Sequence, residues 1–120
     1  MTKFIDTPHG SRIAYNQIIG KKIGIVFLSG FGSDMQGKKA LFIEKWAKDN
    51  NHSFLRFDYS GHGESSGELN ETCFSDWYQD AEFLITKLTK GKQLLIGSSM
   101  GGWVMLMLSK LITQKISAMI

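Results

Sequence analysis

Three stretches of the chain are largely apolar, which is typical of strands that are covered on both faces of a sheet. They are residues 23–28, 53–59 and 93–97. A fourth apolar run, residues 116–120, predicts the beginning of a further strand. Earlier in the chain, residues 4–5 and 11–19 predict a short hairpin that turns at Pro8-His9-Gly10.

Between the predicted strands, apolar residues recur at helical spacing. The first such segment, residues 38–48, is predicted to place Phe42, Ile43, Trp46 and Ala47 on one face. The second runs from Phe74 to Leu88 and has the most regular helical pattern in the chain. The third, residues 101–111, is apolar almost all round, so we expect it to be a buried helix.

Strands therefore alternate with helices, and the connections between them are short. This order predicts an α/β fold, with a mostly parallel sheet, helices on both faces and an antiparallel hairpin at the start. Residues 1–120 are predicted to form one domain. Ligands of such sheets bind at the carboxyl ends of the strands. Three Gly-rich turns fall at these ends, at residues 29–33, 60–67 and 97–102, and we expect them to converge on one cleft.

Composition excludes several classes of function. The chain has 14 Lys and Arg against 11 Asp and Glu, a net charge of +3. No basic cluster is interleaved with aromatic residues, so nucleic acid is not an expected partner, and Lys21-Lys22 and Lys38-Lys39 are interpreted as solvated pairs. The uncharged run at residues 93–109 is short and broken by Gly and Ser, which argues against a membrane span.

Cysteine usage and the start of the sequence bear on location. The single cysteine, Cys73, excludes an internal disulfide and fits a reducing compartment. The first ten residues contain no apolar leader of the secretory type. From these two features we expect a cytoplasmic protein.

The pentapeptide Gly97-Ser98-Ser99-Met100-Gly101 carries the candidate chemistry. It reads G-x-S-x-G between a predicted strand and a predicted helix, the context in which a serine is exposed on a sharp turn. The flanking glycines Gly97 and Gly101 would remove side chains that clash where strand and helix cross, and Gly102 would add clearance. Ser99 is therefore the candidate nucleophile, and the alternative is a tight turn without chemistry.

An activated serine also needs donors for the oxyanion that forms on the acyl group. The residue after the nucleophile, Met100, is the candidate for one backbone N–H. The loop after the first parallel strand supplies the candidate for the second, at Phe31. Both donors are main-chain N–H groups, so this role does not require a particular side chain at either position.

Three motifs in this order resemble the N-terminal half of an α/β-hydrolase: residues 28–32, residues 56–65 and residues 96–103. Within that fold the chain is similar to small esterases of the acyl-protein thioesterase and acyl-glucuronide esterase subfamily. The resemblance implies a serine hydrolase of carboxylic esters or thioesters. It also implies a small-molecule or acyl-protein substrate and no cofactor or metal.

One departure from the family concerns the residues that activate the serine. In the family the triad acid and the histidine follow the nucleophile, and here no Asp, Glu or His follows Ser99. The resemblance thus implies a truncated, partial domain that holds the nucleophile and oxyanion hole but lacks the triad Asp and His. We expect either a second polypeptide that supplies the missing half or an inactive truncated or split hydrolase.

Other histidines are weaker candidates for the base. His62, with Asp58 nearby, lies in a loop at the catalytic edge, but that loop is better interpreted as structural. His9 and His52 are interpreted as solvated. A metal site built from His52, His62 and Cys73 has no ligand spacing that is typical of such sites.

A nucleotide-binding loop is the remaining alternative. The stretch from Gly32 to Lys38 follows G-x-x-x-x-G-K between a strand and a helix. The next residue is Lys39 rather than Ser or Thr, so the hydroxyl that would hold Mg²⁺ is absent. A nucleotide binder is therefore less favoured than a hydrolase.

Overall fold

The computed structural model describes all 120 residues, which form one six-stranded sheet and three α-helices. The strands are β1 (Lys3–Asp6), β2 (Arg12–Ile18), β3 (Lys22–Leu28), β4 (His52–Phe57), β5 (Gln93–Gly97) and β6 (Ile116–Met119). The helices are α1 (Lys38–Asp49), α2 (Phe74–Leu88) and α3 (Met100–Leu111), and short 3₁₀ turns lie at Leu69–Glu71 and Thr113–Lys115. All three helices fall short of the length and apolar character that a membrane-spanning helix needs.

The sheet confirms the predicted α/β architecture. Its strand order is β1-β2-β4-β3-β5-β6. Strands β1 and β2 form the antiparallel entry, whereas β3, β4, β5 and β6 run parallel to one another. In this register Leu28 at the end of β3 lies beside Gly97 at the end of β5. The loops that follow these parallel strands therefore meet at one edge of the sheet.

Helices cover the two faces of the sheet unequally. Helices α2 and α3 pack on one face, where Val26, Leu55 and Leu95 point from the sheet into the larger core. Helix α1 covers the other face alone, over Ile25, Phe27 and Phe54. The sequence pattern dictates this arrangement, because consecutive residues of a strand point to opposite faces and both sets are apolar here.

Two helices differ from the expected burial. Helix α1 faces the sheet through Ala40, Ile43 and Ala47, whereas Phe42 is 73% exposed and Trp46 is 48% exposed. The prediction is correct for Ile43 and Ala47 and wrong for Phe42 and Trp46. The small alanines, spaced for close contact, set the approach of the helix to the sheet. Helix α3 is not buried all round either, since Trp103 on its outer face is 62% exposed, although its ring packs on that of Phe74 with the centroids 4.7 Å apart.

Candidate active site

Ser99 lies at the turn between β5 and α3, with a backbone conformation that is rare for a residue with a side chain. Its φ and ψ are 57° and −119°, and only one other non-Gly residue, Asn51, has a positive φ. Such a conformation costs about 1–3 kcal/mol and persists only where the surrounding structure enforces it. The predicted strand–turn–helix is thus present, and Ser99 is exposed at its apex.

Close crossing of β5 and α3 enforces that turn. A Cβ atom at Gly97 would lie 2.7 Å from the main chain of Gly101, and one at Gly101 would overlap the Leu28 carbonyl oxygen. A Cβ at Gly102 would meet nothing within 4 Å, so Gly102 does not have the clearance role expected from the sequence. Two glycines, rather than three, allow the helix to begin directly beneath Ser99.

The loop after β3 lies against the same turn. A Cβ at Gly30 would stand 3.4 Å from Ser99 Cβ, and the Ser98 N–H donates to the Leu28 carbonyl at 3.0 Å. The next amide along this loop, that of Phe31, donates no hydrogen bond within the chain. Met100 is the first residue of α3, where an N–H has no acceptor in its own helix. Two unpaired donors therefore flank the serine.

His62 holds the loop after β3 in place. Its Nε2 accepts a hydrogen bond from the Gly32 N–H at 3.0 Å, and its Nδ1 donates to the Ser60 carbonyl at 3.1 Å. The ring is buried and packs edge-on against Phe31 and Trp77. Because both ring nitrogens have partners within the chain, His62 is not free to take a proton from Ser99.

Asp58 ties two loops to the end of β4. Its carboxylate accepts the N–H of Met35 at 2.7 Å and the N–H of Glu64 at 3.0 Å. Burial raises the pKa of Asp58, and these two backbone hydrogen bonds oppose the rise. A Cβ at Gly63 would overlap this carboxylate, so the turn closes tightly around it. The segment 60–67 is structural, as its Gly and Ser content indicates.

His9 and His52 are not merely solvated, in contrast to the expectation. His9 Nε2 lies 2.7 Å from Oδ1 of Asp80, a fully buried carboxylate that also accepts the Ser60 N–H at 2.7 Å. Burial raises the pKa of Asp80, whereas the hydrogen bonds from His9 and Ser60 lower it. His52 stacks on Trp46 at the opposite edge of the sheet. No group of three or more His, Cys, Asp or Glu side chains is placed to hold a metal ion.

Hydrogen bonding within the loop also argues against phosphate binding from Gly32 to Lys38. A phosphate-binding loop presents free N–H groups to the anion. Here five amides of this stretch, those of residues 32, 33, 35, 36 and 37, donate to acceptors within the chain. The loop is shaped by its own contacts and has few donors left for a nucleotide.

A cavity of about 550 Å³ opens beside Ser99. Its apolar lining comes from Phe27, Phe42, Ile43 and Ile96. Lys38 and Lys39 line it as well, and Lys39 Nζ donates to the Ser98 hydroxyl at 3.2 Å. No local pattern indicates this contact, because Lys39 and Ser98 are 59 positions apart and the sheet brings them together.

Comparison with known proteins finds relatives that match nearly the whole chain. The family model described as alpha/beta hydrolase fold matches residues 25–120. The rat mitochondrial palmitoyl-protein thioesterase ABHD10 is 41% identical over 117 residues, which cover 98% of this chain and 39% of the rat protein. The structure of mouse alpha/beta hydrolase domain-containing protein 10 superposes with a TM-score of 0.96 at 37% identity, over 99% of this chain and 48% of that one. A putative hydrolase from Agrobacterium vitis gives a TM-score of 0.90 at 30% identity, over 99% of this chain and 50% of that one.

Two consequences follow from these relatives. The chain spans about two fifths of the length of the curated relatives it matches. The cytoplasmic location expected from the sequence is wrong, because these relatives are mitochondrial proteins. A single cysteine and a start without an apolar leader do not distinguish the cytoplasm from other compartments that lack disulfides.

Proposed function

The chain belongs to the α/β-hydrolase fold family, and from this membership we propose that it carries the nucleophile and the oxyanion hole of a serine hydrolase of carboxylic esters or thioesters. The observation that carries the proposal is the Ser99 turn, with φ of 57°, beside two unpaired amides. A structural turn would gain nothing from this strain, whereas a nucleophile needs an exposed hydroxyl at a helix N-terminus.

The proposed chemistry is acyl transfer to Ser99. The Oγ atom attacks the acyl carbon, its proton goes to a base, and the alcohol or thiol leaves with a proton returned by that base. Water then attacks the acyl-serine ester, which releases the carboxylic acid and restores the hydroxyl. The N–H groups of Phe31 and Met100 would hold the oxyanion in both steps, and the dipole of α3 would favour its negative charge.

The base is proposed to come from outside these 120 residues. All three histidines have hydrogen-bond partners within the chain. Both ring nitrogens of His62, the histidine in the loop at the catalytic edge, are occupied. Residues 100–120 contain no His, Asp or Glu. A histidine and its acid partner would therefore reach Ser99 from further sequence or from a second polypeptide.

An acyl thioester is the substrate class that we favour. The relatives at about 41% identity are named palmitoyl-protein thioesterases. The cavity at Ser99 offers apolar side chains, which suit the hydrocarbon part of an acyl group. The substrate would be an acyl-protein or a small-molecule thioester, with the same attack on the carbonyl in either case.

A fluorophosphonate probe tests the nucleophile, because it labels activated serines covalently. Without the base, labelling of the chain is expected to be slow and to depend on the oxyanion hole, and Ser99→Ala should abolish it. Ser98→Ala is the matched control, since it removes the neighbouring hydroxyl and leaves Ser99 in place. Labelling that survives Ser99→Ala would refute the assignment.

An inactive isolated chain is the second candidate, favoured by the engagement of every histidine. On this proposal, the 120-residue chain alone has no measurable turnover of an acyl thioester, because loss of triad members leaves only the contribution of the oxyanion hole and binding. Turnover that disappears in His62→Ala would contradict it and would assign the base to His62.

A further inference from the structure

A second cavity lies at the edge of the sheet opposite to Ser99. It has a volume of about 560 Å³ and opens where β3, β4 and β5 begin. Each strand residue advances about 3.3 Å, so the seven residues of β3 place this cavity about 20 Å from the Ser99 turn. It is therefore not part of the proposed active site. We refer to it as the basal cleft.

Unpaired positive charge distinguishes the basal cleft. Four lysines line it, Lys21, Lys22, Lys90 and Lys92, and none of its 17 lining residues is Asp or Glu. None of the four ammonium groups is in an ion pair or a hydrogen bond within the chain. Four cations around one concavity repel one another, and an anion in the cleft would relieve that repulsion.

The backbone of the turn between α2 and β5 adds donors to the same cleft. The N–H groups of Lys90, Gly91 and Lys92 donate to no acceptor within the chain. The carbonyl oxygens of Lys90 and Gly91, in contrast, accept from Gln93 Nε2 at 2.9 and 3.3 Å. Gly91 has φ of 69°, a conformation that favours glycine. The turn thus has its acceptors occupied and its donors open, as an anion site requires.

We infer that the basal cleft binds a phosphate-bearing anion with two or more phosphate groups. Lysine binds phosphate as a point charge, and four of them match the charge of a diphosphate or of clustered headgroups better than that of a single carboxylate. The phosphate could belong to a soluble polyphosphate or to a phospholipid headgroup. The exposed side chains of Ile19 and Ile23 also line the cleft and would contact the apolar layer in the second case.

Calorimetric titration of the 120-residue chain with inorganic pyrophosphate tests the soluble source. We expect binding that weakens about tenfold or more in Lys22→Gln/Lys92→Gln, since loss of two charged contacts removes at least about 1.4 kcal/mol. The control is Lys38→Gln/Lys39→Gln, which makes the same change in net charge at the opposite edge and is expected to bind as the parent does. Equal weakening in both variants would overturn the site, because it would reflect net charge alone.

Sedimentation with vesicles tests the lipid source. We compare phosphatidylcholine vesicles with vesicles that contain phosphatidic acid, whose negative charge is on the phosphate alone, using the same variants. Binding to the anionic vesicles alone, lost in Lys22→Gln/Lys92→Gln and retained in the control, assigns the phosphate to a lipid headgroup. Binding of neither pyrophosphate nor anionic vesicles overturns the inference.

A second variant distinguishes loss of the binding site from loss of the folded structure. Lys90→Gln/Lys92→Gln changes only exposed positions of the turn, so we expect the circular dichroism melt of the parent together with the same loss of binding. Parental binding by this folded variant would likewise contradict the inference. The outcome is independent of the proposed hydrolase activity, because binding is measured without turnover and the lysines of the basal cleft lie at the opposite edge of the sheet from Ser99.

Discussion

The Nε2 atom of His62 accepts the Gly32 N–H at 3.0 Å, which joins the loop after β4 to the loop after β3. The neighbour of Gly32 is Phe31, whose own amide is unpaired beside Ser99. This buried histidine therefore sets the position of a proposed oxyanion donor. Its burial and its two hydrogen bonds explain why a histidine in a catalytic-looking loop is structural.

Replacement of His62 is expected to loosen the loop that carries Phe31. His62→Phe keeps an aromatic ring but loses both hydrogen bonds, so we expect a loss of about 1–3 kcal/mol in the free energy of unfolding. Probe labelling of Ser99 should also slow. Urea unfolding and labelling time courses measure the two effects. His52→Phe, at the far edge of the sheet, should leave labelling unchanged, and an equal slowing there would argue against the positioning role.

Adjacent glycines of α3 should respond in opposite directions to the same substitution. Gly101→Ala places a methyl group on the Leu28 carbonyl, so we expect it to cost about 3 kcal/mol or more, or to prevent folding. Gly102→Ala meets open space inside a helix and should raise the free energy of unfolding by about 0.5–1 kcal/mol. Thermal and urea unfolding compare the two. A well-folded Gly101→Ala would contradict the close crossing of β5 and α3.

Two buried serines differ in whether their hydroxyl group has a hydrogen-bond partner, and this difference predicts different costs of replacement by alanine. Ser29 Oγ is buried without a hydrogen-bond partner, so Ser29→Ala should leave the free energy of unfolding unchanged or raise it by up to about 1 kcal/mol. Ser65 Oγ donates to the Asp58 carbonyl at 2.6 Å and accepts the Ala14 N–H at 2.9 Å. Ser65→Ala should therefore cost about 1–3 kcal/mol. Equal costs in urea unfolding would show that Ser29 has a partner as well.

Asp80 should give the stability of the chain a measurable pH dependence. Burial raises the pKa of Asp80 above its ordinary value of 3.8, so the folded state binds its proton more tightly than the unfolded chain does. From pH 3.8 up to the raised pKa, the contribution of Asp80 to the free energy of unfolding therefore falls as pH rises.

The matched variant for this prediction is Asp80→Asn, which cannot titrate. The stability of the parent relative to Asp80→Asn is expected to decline as pH rises above about 4, as measured by urea unfolding at intervals. A relative stability that increases over this range would mean that the hydrogen bond from His9 outweighs burial and holds the pKa of Asp80 low.

Much of the fold was predictable because its signals are local. Continuous apolar runs indicated β3, β4 and β5, and the helical spacing from Phe74 to Leu88 gave the bounds of α2. The conformation at Ser99 was predictable as well, since Gly97 and Gly101 make sense only where two elements cross closely. Burial on α1 was predicted in part: Ile43 and Ala47 face the sheet, but Ala40 takes the place expected for the larger Phe42 and Trp46.

The sequence by itself determined the order of strands and helices, the edge where the Gly-rich turns meet and the serine at that edge, because each follows from spacing along the chain. Only the tertiary structure decided that His62 binds Gly32, that Asp80 takes His9 as its partner and that four lysines share one cleft. These relationships join residues that are far apart in the chain. A local sequence pattern does not indicate which distant groups the sheet brings within hydrogen-bonding distance.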